Sequence, residues 1–215
     1  MLVNRRWRAV LCALGLGAVL ATANAANALT LADLDGGGSF SVAGLTFANF
    51  DATVTGDISL DLADYPVQLL ADGFRLSGPL SVLLGGSGTL LLSYQVTAMD
   101  PILVGASLFA AGTTIGDGAQ AWVGESLLGP ASEVLGSLFA YDIEGVGSDP
   151  SDAIGFTAVS QISVAKTVNV GGGLFAAVPV IDQRFNVIPE PVTMWLLTLG
   201  LVGLAWWRPR RMLAD

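Results

Sequence analysis

The chain has 215 residues, 53% of them hydrophobic and 13% charged, with a formal net charge of −9 at pH 7. It contains no histidine and one cysteine, which excludes Ser-His-Asp and Cys-His nucleophile arrangements and the familiar zinc and copper ligand sets. Its acidic surface repels phosphate backbones, so nucleic-acid binding is excluded as well.

Arg5, Arg6 and Arg8 precede an apolar run over 9–20, and Ala23-Asn24-Ala25 and Ala26-Asn27-Ala28 each offer a small-x-small cleavage signature. That order predicts a secretory signal peptide over 1–28, cut after Ala25 or after Ala28. Either cut removes Cys12 and leaves a mature chain without thiol or disulfide.

The body, 29–187, has the length of one domain with a substantial core. Its basic residues are Arg75, Lys166 and Arg184, three against sixteen acids, for a net charge of −13. Such a charge keeps an exported domain soluble and attracts cations. Short apolar segments recur between Gly- or Asp-containing turns, while helical periodicity is weak, and this pattern predicts an antiparallel β-sandwich of jelly-roll or immunoglobulin-like type.

In chain order, strands are expected over 40–47 and over 57–62, where Ile58, Leu60 and Leu62 alternate with Asp57, Ser59 and Asp61. Asp72-Gly73 reads as a hairpin turn, and Gly85-Gly86-Ser87-Gly88 as a second hairpin turn before the strand 89–97. In that strand Leu92, Tyr94 and Val96 share one face. Further strands are expected over 102–108, 119–123, 138–143, 154–159 and 162–170, and a last one carries Ile181, Gln183, Phe185 and Val187. The stretch 145–152 reads as a mobile loop, because it has no apolar pair to bury.

Carboxylates are the plentiful reactive groups. A glycosidase-like pair would draw on Glu125, Glu133 or Glu144, with Trp122 stacking on a sugar ring, yet acids in an acidic exported protein are mostly surface charge. Lys166, the only lysine, reads as a solvated side chain with its stem on apolar surface. Asp33-Leu34-Asp35-Gly36 has the opening of a calcium loop, but an EF-hand needs a glutamate at the twelfth position, where Gly44 stands. No cofactor and no metal site is expected.

The tail has three parts. Pro189-Glu190-Pro191 lacks two amide donors and forces extended geometry, 192–207 is an apolar run without charge, and Arg208, Arg210 and Arg211 follow. A helix over 192–207 is expected to span the membrane, with the arginines as a cytoplasmic stop. This arrangement, over 188–215, resembles the PEP-CTERM sorting signal of Gram-negative bacteria. The resemblance implies recognition by an exosortase at Pro189, Glu190 and Pro191, transit through the export machinery and inner membrane, and delivery to the cell surface or exopolysaccharide matrix.

The expectation is therefore a non-enzymatic exported protein with a structural or adhesive role. The alternative is a polysaccharide- or calcium-binding sandwich module, in which exposed aromatics and the stretch 145–152 contact extracellular polysaccharide. A carboxylate-dependent glycosidase ranks below both.

Overall fold

A computed structural model describes residues 29–99 and 101–189; the expected signal peptide and the tail from Glu190 onward, with its expected membrane helix, lie outside the described residues. Among the described residues no helix is long and apolar enough to cross a membrane.

Among the described residues thirteen strands follow a single turn of helix, α1 (Leu31–Leu34), in the order β1 (Phe40–Val42), β2 (Leu45–Gly56), β3 (Val67–Leu70), β4 (Gly73–Ser77), β5 (Ser81–Leu83), β6 (Ser87–Ala98) and β7 (Pro101–Ile115). They continue with β8 (Gln120–Leu128), β9 (Val134–Ile143), β10 (Gly147–Asp149), β11 (Ser151–Val159), β12 (Gln161–Gly171) and β13 (Phe175–Pro189). The larger sheet has the order β1-β2-β6-β12-β8-β9-β10; the smaller has β11-β7-β13-β4-β3, with β5 also paired to β13. All of these strand pairs are antiparallel.

The two sheets close on one core. Alternation puts Ile162, Val164, Val168 and Val170 of β12, and Leu90, Leu92, Tyr94 and Val96 of β6, on the inner face of the larger sheet, where all are buried. From the smaller sheet Phe74 and Phe185 meet Phe47 with ring centroids 5.6 and 5.7 Å away, and Tyr94 lies 5.4 Å from Phe74. The expected face of Leu92, Tyr94 and Val96 is thus the core face, and the antiparallel β-sandwich is as expected.

Several local expectations are corrected. The stretch 40–47 is a hairpin, not one strand, because Ala43 and Gly44 turn with φ of 48° and 82°, the left-handed pair a tight hairpin requires. The stretch 57–62 is not a strand. Ile58 is buried but Leu60 is 65% exposed, and Asp61 accepts a 2.9 Å bond from the Ala63 amide to start a 3-10 turn, Leu62–Asp64. Residues 85–88 are not a hairpin turn either, since β5 pairs with β13 in one sheet while β6 pairs with β2 and β12 in the other. The stretch 145–152 is not a plain loop: it holds β10, an exposed edge strand on β9, and the start of β11, with Pro150 between the two where the chain changes sheets.

Candidate functional site

Trp122 sits on β8 between buried Ala121 and Val123, so its ring points to the outer face of the larger sheet. There it is opposite Tyr141 of β9, and its ring lies 5.8 Å from that of Phe139, which in turn is 5.6 Å from Tyr141. Gly124 leaves room between the rings. It pairs with Phe139, and a methyl group there would stand 3.5 Å from Trp122 and 3.7 Å from Phe139, so the two rings border a space no side chain fills. Asn169 of β12 flanks Trp122 on the other side and donates a 3.1 Å hydrogen bond to the Thr89 hydroxyl. Asp149 of β10 pairs with Tyr141 at the sheet edge, which puts part of the stretch 145–152 beside the aromatic strip. Aromatic faces next to amide and hydroxyl groups suit a ligand with apolar ring faces and a polar periphery.

A second cluster lies inside the sandwich, where sequence reasoning saw only surface charge. Glu125 and Lys166 are cross-strand partners on the inner faces of β8 and β12, 3% and 2% exposed, and form a buried ion pair. From the opposite sheet Gln183 of β13, fully buried, accepts a 2.7 Å hydrogen bond from Lys166 Nζ through Oε1. The hydroxyl of Tyr94, Oε1 of Glu125 and Nε2 of Gln183 are buried without a hydrogen-bond partner. Burial pushes the Glu125 carboxyl up, against the opposing pull of Lys166 and the nearby Gln183 amide. Burial also raises the Tyr94 phenol well above its ordinary range, and the Glu125 charge adds to that rise. Lys166 is therefore not the solvated side chain expected of it. Each of Glu125, Lys166 and Gln183 falls in phase with apolar neighbours two residues away, and that phase is the signal that would have found them.

The three candidate acids are not assembled. Glu125 is inside the core, whereas Glu133 and Glu144 are exposed just beyond opposite ends of β9, about 35 Å apart at the usual rise per strand residue. Asp33 caps α1 by accepting from the Thr30 amide and hydroxyl at 2.9 and 2.8 Å, and Asp35 accepts from the Ala52 amide at 2.9 Å. Among the described residues no three His, Cys, Asp or Glu side chains cluster to hold a metal ion. Of the sorting residues, Pro189 ends β13; Glu190, Pro191, Arg208, Arg210 and Arg211 lie outside the described residues, as do Ala25 and Ala28.

The fold and the run of β13 into the tail define an all-β body attached to a C-terminal signal. Residues 187–211 match the PEP-CTERM protein-sorting motif, so the chain carries that signal, and a signal of this kind marks a secreted protein that transits the membrane. No curated protein matches the chain. Among solved structures, TmCBM61 in complex with β-1,4-galactotriose is similar with a TM-score of 0.35 and 11% identity, over 63% of this chain and 88% of that one. A complex of glycosylation associate proteins from Streptococcus agalactiae is similar with a TM-score of 0.30 and 13% identity, over 69% of this chain and 25% of that one. Likenesses this low define no common function.

Proposed function

We propose that this protein is a non-enzymatic structural or adhesive component of the cell surface or exopolysaccharide matrix of a Gram-negative bacterium, released to that destination by an exosortase acting at Pro189-Glu190-Pro191. The match to the sorting motif over 187–211 carries the reading. Its first residues belong to β13, so the segment offered for processing is tethered to a strand in the middle of the smaller sheet. The test is the intact mass of the protein from native cells, fractionated into inner membrane, outer surface and medium. A species outside the inner membrane lacking the signal peptide and everything beyond about Pro191 is expected, and Glu190→Ala should instead accumulate in the inner membrane with Arg211 retained. Normal surface delivery of the Glu190→Ala chain overturns the reading.

The aromatic strip supports a second reading within the same role, in which the body holds extracellular polysaccharide. Trp122, Phe139 and Tyr141 form an outward-facing row, with Phe139 45% exposed, and no core requirement keeps such rings together on a wet face.

A further inference from the structure

The buried cluster of Glu125, Lys166 and Gln183 is unfavourable as three separate side chains. Moving an ammonium and a carboxylate out of water costs more than their attraction returns unless their remaining hydrogen-bonding capacity is used. Here Oε1 of Glu125 and Nε2 of Gln183 have no partner, and neither has the hydroxyl of Tyr94. Yet the three groups converge from two sheets with one particular geometry. The only lysine of the chain places its nitrogen 2.7 Å from the carbonyl oxygen of a carboxamide, one bond from the amide carbon, and a carboxylate touches the same nitrogen.

We propose that Lys166 and Gln183 become joined by an intramolecular isopeptide bond between Nζ and Cδ, with Glu125 carrying the proton and ammonia leaving. The ion pair first neutralises by proton transfer from Lys166 to Glu125, a shift that a low-dielectric site favours. The free amine then attacks Cδ of Gln183, and the protonated carboxyl of Glu125 donates to the carbonyl oxygen as negative charge develops there. A second proton passes from Nζ to Nε2, the oxygen returns its proton to Glu125 as the carbonyl re-forms, the Cδ–Nε2 bond breaks, and ammonia departs. The balance is one amine and one primary amide converted to one secondary amide and one ammonia, with no change of oxidation state and no co-reactant. An amide is a poor electrophile in water, and what compensates is fixed proximity in a dry site. The reaction also resolves the polar mismatch: the positive charge disappears, the unpartnered Nε2 is expelled, and Glu125 ends as a neutral acid able to donate to the new carbonyl.

The bond would staple β12 of the larger sheet to β13 of the smaller one. Tension applied to the tail at Pro189 would then reach the larger sheet through a covalent link as well as through the strand ladder. The bond would lie in the interior of the body, independent of how the tail is processed.

Mass spectrometry of the folded, full-length protein tests it. The intact chain is expected to weigh less than its sequence by one ammonia. Trypsin cuts after free lysine and arginine, so an unreacted chain gives peptides 76–166 and 167–184, whereas the cross-linked chain gives 76–184 as one species lighter by one ammonia. Glu125→Gln is expected to restore the full mass and cleavage at Lys166, and Gln183→Glu to lose one water in place of ammonia. A folded wild-type chain of unreduced mass that trypsin cuts at Lys166 overturns the proposal, whether or not the variants fold. Ammonia loss that persists in Gln183→Leu overturns it equally.

Discussion

Tyr65 has its ring fully buried, and its hydroxyl donates a 2.6 Å hydrogen bond to the Ser59 carbonyl. Burial, and secondarily the charge of Asp64, raises its pKa from 10.0 to about 12. Because the folded value lies above the unfolded one, the stability contributed by the neutral phenol is complete below pH 10 and is lost as the pH climbs from 10 to about 12. Unfolding free energy measured by denaturant titration should fall across that window in the wild type. Tyr65→Phe should start about 1 kcal/mol lower, having left the Ser59 carbonyl without its donor, and should lack this part of the alkaline fall. The same kind of placement governs Glu125, Lys166 and Gln183. Their apolar phase is visible in the sequence, so that they face inward is legible residue by residue. That Gln183 meets the other two is not, because β13 and β12 are in different sheets and no local pattern states which inner faces oppose each other.

At the scale of elements, alternation predicts a strand's inner face until a bulge resets it. In β2 both Phe47 and Phe50 are buried, three residues apart, because the register shifts between Ala48 and Asp51 where Asn49 adopts φ 57°, a conformation asparagine tolerates. The failure at 57–62 has the opposite cause, a sound alternating pattern overruled by aspartate side chains that hydrogen-bond backbone amides and by Pro66 just beyond. Across β8 and β9, pairing in register aligns Trp122 with Tyr141 and Gly124 with Phe139, so the aromatic strip is a property of two strands and of neither alone. Trp122→Ala is therefore expected to leave the circular dichroism spectrum unchanged. In affinity-gel electrophoresis with the native exopolysaccharide it should weaken retardation by about 2 kcal/mol, the size of a tryptophan anchor in an interface. Equal retardation of wild type and variant would remove the strip from the polysaccharide reading.

For the whole molecule, β13 is decisive. It pairs with β7, β4 and β5, delivers Ile181, Gln183 and Phe185 to the core, and continues to Pro189. A mature chain ending at Pro189 should keep its thermal transition, since it retains every strand of both sheets among the described residues. One ending at Val180 should show no cooperative melt, because losing Phe185 alone costs about 3–5 kcal/mol, comparable to the lower range of a whole domain's stability. The sequence by itself determined the all-β class, most strand positions, and a tail that matches the sorting motif, because alternation, turn residues and a short linear signal are local properties of the chain. Only the tertiary structure decided that β6 pairs with β12 and β2, that the chain changes sheets at Pro150, and that one lysine, one glutamate and one glutamine meet in the core. Those outcomes depend on long-range pairing and on which faces oppose across the sandwich, where burial of the two inner surfaces together sets the register.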